Sequence, residues 1–316
     1  MSTDLYLTDL PAEALIHLRG ANISGFLQGQ LTCDLRPLST DRALRGALCN
    51  VKGRVISDLW VIQVDDQHCL LRLRRSLAAD FVAHLAKFAR FSRIDVSLDE
   101  RSHALAGLYG GGIGLVAGGS VGDCIRQAST LLLLSGREQA QMISLGGDDE
   151  APSPGALGLA DASCDPGTEA HWHARDLLEG HYAIEAHDRE QYTPQALNYD
   201  ERGLVSFNKG CYTGQEVVAR LHYKGRSKQR LQVYRCAADR APEVGSPVRD
   251  RNDAEVGRIL RSEALGATGS PGDAVVLVAA MVAADHRAEE ARGSSGCALH
   301  PLTPPSRATV GGASSA

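Results

Sequence analysis

Lys209-Gly210-Cys211-Tyr212-Thr213-Gly214-Gln215-Glu216 gathers more reactive chemistry than any other stretch of this 316-residue chain. A cysteine reacts as its thiolate, which nearby cations and the unpaired amides of a helix start both favour. Thr213 and Glu216 have the T-x-x-E spacing of a capping box, and Val217, Val218 and Leu221 continue as an apolar stripe. The spacing predicts a helix opening just after Cys211, with Lys209 adding a second positive charge beside the thiol. The glycines at 210 and 214 permit a tight turn or close approach to a ligand. Free cysteines are more often small buried hydrophobes. At Cys211 the cap, the lysine and the glycines converge on one turn, so Cys211 and Lys209 are the predicted catalytic pair.

Other chemistry-bearing groups are sparser. Arg220, Lys224, Arg226, Lys228 and Arg230 interleave with His222 and Tyr223, and no acidic residue occurs from Val217 to Ala238. Such a stretch either holds phosphates or forms a solvated loop between domains. A second cluster (Arg72, Arg74, Arg75, Lys87, Arg90, Arg93) predicts a broad basic face. His171-Trp172-His173 has no companion thiols or carboxylates, so no metal site is predicted. Trp172 either stacks on a heterocyclic ligand or fills the core. The glycine run at 110–114 fits neither phosphate-binding fingerprint and reads as loop.

These groups need elements to hold them. A strand over Ala14–Arg19 ends at Gly20, and Asn22 then caps a helix carrying Ile23, Phe26, Leu27 and Leu31. Strands follow at Arg54–Val64 and Cys69–Leu73, then a helix capped by Ser76 with Leu77, Phe81, Leu85 and Phe88 inward, then a strand over Arg93–Leu98. Adjacent strands joined by short turns argue for an α+β fold with antiparallel pairing. Gly107–Gly158 carries weak periodicity, and a helix runs from about Glu169 to Gly180. After Arg230, β-like runs at Leu231–Tyr234, Glu255–Leu260 and Ala274–Val278 predict a small barrel, and the Ser/Gly/Ala/Pro-rich His286–Ala316 reads as a disordered tail. The predicted divisions are 1–105, 106–228 (with Cys211), 229–285 and 286–316.

Composition limits the function classes. Lys plus Arg number 33 and Asp plus Glu 38, for a net charge of -5, which excludes a globally basic nucleic-acid binder. Hydrophobic residues at 43% are ample for a core. Eight cysteines with no C-x-x-C pair fit neither a disulfide scaffold nor a zinc ribbon, and suggest reduced thiols in the cytoplasm. The apolar run Ala274–Ala284 is shorter than the ~20 residues that span a bilayer, and Met1-Ser2-Thr3-Asp4 has no leader character. The expectation is a cytoplasmic protein without membrane contact, and a monomer.

Lys209–Arg220, reading KGCYTGQEVVAR, resembles the signature of the YgfZ-type folate-binding proteins, relatives of the mitochondrial iron–sulfur assembly factor and of the glycine-cleavage T-protein aminomethyltransferase. Gly25–Thr32 with Asp34, the turn Lys52-Gly53-Arg54 and Thr193–Asn198 resemble further motifs of that family, so the likeness spans about Leu15 to Arg230. The resemblance implies a folate-binding aminomethyltransferase-like fold with a small C-terminal β-barrel and tetrahydrofolate as cofactor. It also implies a role in making or maintaining iron–sulfur enzymes, including those that methylthiolate tRNA. It assigns Trp172, Glu185, Tyr212 and Gln215 to the folate, with the Glu185 carboxylate facing the pterin N–H donors. Ala12-Glu13-Ala14 stands where some relatives carry a second tryptophan. A one-carbon transferase using Asp58 or Glu185 as acid or base, and a module contacting tRNA weakly through Arg220–Arg230, are the alternatives.

Overall fold

The computed structural model describes residues 4–101, 104–116, 118–147, 151–152, 154–157, 164–237, 241–265, 275–287, 289–294 and 296–304. Its first sheet joins β2 (Glu13–Arg19), β3 (Leu44–Cys49), β4 (Val55–Asp65), β5 (His68–Arg74) and β6 (Asp95–Leu98), all antiparallel, in the order β3-β4-β5-β2-β6. The period-two alternation of a strand sorts its residues onto two faces. On β2, Ile16 and Leu18 share a core with Leu77, Phe81 and Leu85 of α2 (Arg75–Ala89). Glu13, Leu15, His17 and Arg19 fall on the opposite face, and Arg74, Arg72, Leu70 and His68 of β5 lie directly across from them.

A second sheet runs β11 (Asp165–Pro166), β1 (Tyr6–Asp9), β7 (Leu105–Tyr109), β10 (Gln139–Ser144), β9 (Thr130–Gly136), β8 (Cys124–Gln127), with β11 parallel to β1 and the other neighbours antiparallel. Leu15, Trp60, Ile62 and Leu70 of the first sheet and Leu105, Leu131, Leu133 and Ile143 of the second form one core between the two. The weak periodicity of Gly107–Gly158 now has a cause. Every residue of β9 and β10 is buried, so Thr130–Gly136 presents leucines to both faces and shows no alternation. The glycine run at 110–114 makes a turn, with Gly110 at φ +127°, into the single helical turn α3 (Ile113–Val116).

The third unit is a closed barrel, β12 (Gln229–Ala237), β15 (Val275–Ala283), β14 (Glu255–Ala264), β13 (Pro247–Arg249), β16 (Ala291–Arg292) and β17 (Ala298–Leu302). The apolar run near 274–284 is its long strand β15, paired on both sides. The remaining helices are α1 (Ile23–Gln28), α4 (Glu169–Leu178) and α5 (Gln215–Lys224). None of the described helices is long and apolar enough to cross a membrane.

Three expectations are corrected. Ser76 does not cap α2; its hydroxyl donates to Glu185 Oε2 at 2.6 Å, and Arg74 holds the N-cap position. Phe88 is 41% exposed, because the buried stripe Leu77, Phe81, Leu85 continues at the next i+4 position to Ala89. The segment from His286, read as a tail, supplies β16 and β17, with Ala291, Cys297 and Leu299 buried in the barrel; residues 305–316 lie outside those described. Short strands that bury alternate positions leave little compositional trace. Leu299→Ala should cost about 2–5 kcal/mol in urea unfolding, as a buried leucine in a packed core does. An unchanged midpoint would mean that 298–302 does not close the barrel.

Candidate functional site

The signature turn is held by backbone contacts at both ends. Gly214 has φ +82°, and a Cβ there would stand 2.3 Å from the Asn50 carbonyl oxygen. Gly53, at φ +67°, likewise leaves room for Val217, whose Cβ lies 2.9 Å from where its own would be. The Lys52-Gly53-Arg54 turn and the signature therefore interlock where only glycine fits. This contact overrides the predicted capping box. Gly214 is the N-cap of α5 and no side chain caps it, while Gln215 Oε1 accepts the Tyr212 amide at 3.2 Å. Cys211 lies ahead of the helix and is exposed.

Lys209 is held against α1. Its ammonium donates to the carbonyls of Gln28 (2.8 Å), Leu31 (2.7 Å) and Cys33 (2.7 Å), occupying its three protons. Burial lowers its pKa. It anchors the turn to the C-terminal end of α1, where a cation complements the helix dipole. Its Nζ is 5.2 Å from the centroid of the Tyr212 ring. Tyr212 is buried, its hydroxyl has no partner among the described residues, and burial raises its pKa.

A second set of groups meets in the interior. Glu13 on β2 is 1% exposed, with Oε1 3.1 Å from Arg72 Nη2 and 2.9 Å from Arg74 Nη1. Neither oxygen makes a hydrogen bond of good geometry with the described residues. Burial raises the Glu13 pKa against the opposing pull of Arg72 and Arg74. Arg72 lies over the Trp172 ring at 5.0 Å, and Arg74 donates to His173 Nε2. An arginine only donates, so Nε2 is bare and the neutral ring carries its proton on Nδ1, 3.8 Å from Glu13. Arg45 on β3 pairs with Asp58 on β4 at 3.2 Å and with Asp176 on α4 at 3.7 Å. Arg261 on β14 brings in the barrel through Glu185 at 2.9 Å.

Facing this cluster, the second sheet contributes buried amides. Gln141 lies opposite Gly107, and a Cβ at Gly107 would be 2.6 Å from Trp172 Nε1, so Gln141 adjoins the indole. Gln139 Nε2 donates to the Trp172 carbonyl at 2.8 Å. The Trp172 indole N–H and both amide atoms of Gln141 have no partner among the described residues. A buried polar atom left unpaired costs about 1–3 kcal/mol, so such atoms normally serve water or a ligand. Around Glu13, Arg72, Trp172 and Gln141 the chain leaves donors and acceptors unused within reach of an aromatic ring.

The predicted residues thus fall in two places. Cys211, Lys209, Tyr212 and Gln215 share the turn against α1 and the 50–54 hairpin, whereas Trp172 and Glu185 belong to the interior cluster. Glu185 is engaged by Ser76, Arg74 (3.2 Å) and Arg261 (2.9 Å), and Glu13 is the carboxylate with spare capacity. Arg72 and Arg74, expected on a basic face, are 2% and 3% exposed and point inward to Glu13. Arg230 pairs with Asp200 at 2.9 Å and leaves the exposed basic stretch to end at Lys228. Glu13 and the pair Gln139 and Gln141 were missed by sequence. Their one trace is a pair of amides at alternate positions of β10 and a glutamate at the start of the apolar β2. A groove of about 440 Å³ lies elsewhere, beside His17, His68, Asp99 and Arg101, and contains none of these residues. No group of three or more His, Cys, Asp or Glu able to hold a metal occurs among the described residues.

Burial and the cations of Arg74, Arg72 and Arg261 hold His173 neutral, well below the usual histidine range. The unfolded chain takes up a proton near pH 6.5 that the folded chain refuses, so this site contributes fully above that pH and loses stability as pH falls. The stability of the wild type relative to His173→Gln should decline below about pH 6.5 by up to about 1.4 kcal/mol per pH unit. A difference independent of pH between 6.5 and 4.5 would show that His173 titrates freely in the fold.

Comparison with known proteins agrees with these motifs. No family model matches the chain. The tRNA-modifying protein YgfZ of Sodalis glossinidius (strain morsitans) is 33% identical over 250 residues, covering 76% of this chain and 74% of its own. That of Escherichia coli O157:H7 (strain EC4115 / EHEC) is 30% identical over 248 residues, covering 76% and 75%. Among solved structures, the glycine cleavage system aminomethyltransferase T from Bartonella henselae superposes with a TM-score of 0.72 at 18% identity, over 96% of this chain and 86% of its own. The two sheets and the closed barrel are thus an aminomethyltransferase-like fold. With identity spread over three quarters of both chains, this protein belongs to the YgfZ family.

Proposed function

We propose that this protein binds tetrahydrofolate at the interior cluster and, through the exposed Cys211 thiol, supports assembly or repair of iron–sulfur enzymes that modify tRNA. The observation that carries the folate half is the unused donor and acceptor capacity of Glu13, Gln141 and Trp172 Nε1 beside an aromatic ring. A pterin is a flat heterocycle with N–H donors on one edge and a carbonyl acceptor beside them, so the residues fit. Glu13 would accept from the donors, Arg72 and Gln141 would hold the carbonyl edge, and Trp172 would offer its N–H. When bound, tetrahydrofolate supplies N5 and N10 as carriers of a one-carbon unit. The aminomethyltransferase-like fold and relatives named for tRNA modification support this reading.

The thiol half rests on the turn. Lys209 and the two glycine contacts fix the backbone of the signature, while Cys211 stays open to solvent and to a client protein. A one-carbon transferase is the less favoured reading. It needs a carboxylate free to move a proton at the folate. Asp58 is engaged by Arg45 and by the Ile184 amide, and Glu185 by Ser76, Arg74 and Arg261.

Calorimetric titration with tetrahydrofolate should show saturable binding, weakened about tenfold or more in Trp172→Phe and Gln141→Leu, each losing a hydrogen bond worth about 1.4 kcal/mol or more in a buried site. Binding equal in all three proteins would remove the folate from this cluster. Cys211→Ala should bind tetrahydrofolate as the wild type does and yet fail to restore iron–sulfur enzyme activity in cells lacking the protein. Full restoration by that variant would exclude the thiol.

A further inference from the structure

The exposed face of α5 and the segment after it carry a row of cations. Several surface arginines are neutralised, Arg42 by Asp123, Arg175 by Glu138, Arg189 by Asp80 and Arg287 by Glu201. Lys52, Arg220, Lys224, Arg226 and Lys228 are exposed and make no ion pair among the described residues. Glu216, Arg220 and Lys224 follow one another a helical turn apart on one face of α5, with Glu216 at its N-terminal end. Arg226 and Lys228 continue past its C-terminal end, and Lys52 stands on the hairpin packed against its N-terminal end at Val217. With ten residues in α5, the row extends over at least about 15 Å. Five cations against the one carboxylate of Glu216, in a chain of net charge -5, are a local feature and not a reflection of composition.

Aromatic rings accompany the cations. His222 stacks on Phe207 with ring centroids 3.6 Å apart and planes 13° apart, and Tyr223 meets His222 edge-on at 4.8 Å. Tyr223 is 66% exposed, so a supported ring projects into solvent among positive charges. Phe207 stands only four residues before the exposed Cys211. A duplex or an anionic bilayer would use the charges alone. Unpaired bases would use both features, since each has a flat face to stack and a phosphate to neutralise.

We propose that the α5 face, from Lys52 past Arg220 and Lys224 to Lys228, docks single-stranded RNA, with phosphates on the cations and a base stacked on Tyr223. The single-strand chemistry is read from this surface alone; that the strand is RNA rests on the tRNA-linked role proposed above. Neither depends on folate binding, so the calorimetric test and the one below fail separately.

The test is fluorescence anisotropy with a labelled RNA strand of about 12 nucleotides, its duplex, and vesicles of anionic phospholipid, using the full chain from about 50 to about 200 mM salt. The single strand should bind best, with affinity falling linearly on a log–log plot against salt. Replacing Arg220, Lys224, Arg226 and Lys228 together by Gln should weaken it at least about tenfold and flatten the salt slope. Tyr223→Ala should weaken the single strand about five-fold or more and leave the slope unchanged, because it removes stacking and no charge. All these residues are surface-exposed, so melting curves of the variants should overlay that of the wild type. Equal binding of single strand, duplex and vesicles, no binding at the lowest salt, or single-strand affinity unchanged in both variants would overturn the proposal.

Discussion

Burying Glu13 between Arg72 and Arg74 is the constraint on which the architecture turns. A buried carboxylate is tolerable only with cations close by, and buried guanidiniums need acceptors in turn. Arg74 therefore reaches His173 on α4 and Glu185, Glu185 reaches Arg261 on the barrel, and Arg45 reaches Asp58 and Asp176. Removing one partner would strand another, so the first sheet, α4 and the barrel are linked by charges that must all be present together.

The surface site follows a different physical logic. Cys211 is held by what surrounds its backbone rather than by partners of its sulfur. Lys209 gathers the carbonyls at the end of α1, Gly214 admits the Asn50 carbonyl, and Gly53 admits Val217. Substituting any of these would move the segment carrying the thiol without touching the thiol itself. The frame around the backbone leaves the Cys211 thiol open to solvent.

Stability and recognition also separate by charge. Interior arginines are matched by carboxylates, as desolvation demands, while the lysines and arginines of the α5 face remain unmatched in water, where an unpaired cation costs little. An uncompensated row is then free to meet an anionic partner. Exposed Tyr223 is backed by His222 and Phe207 and keeps a fixed attitude toward solvent.

Local patterning was sufficient for most of the long elements. Strands β2, β4, β5 and β6 of the first sheet, α4 and the long barrel strands are legible in the sequence, whereas β3 was missed, and KGCYTGQE with the K-G-R turn marks the thiol and its glycines. Where both faces are buried, as in β9 and β10, the pattern vanishes because polarity no longer distinguishes inside from outside. Capping at Thr213 failed because Gly214 answers to the distant Asn50 carbonyl. The roles of charged residues were decided by the tertiary structure alone. Lys209 turns to α1, Arg72 and Arg74 turn inward to Glu13, and Glu185 is bound while Glu13 keeps unused acceptors. Residue types set which interactions a side chain can make, but a charge interacts with whatever the fold brings within a few ångströms, and that distance is not written in one dimension.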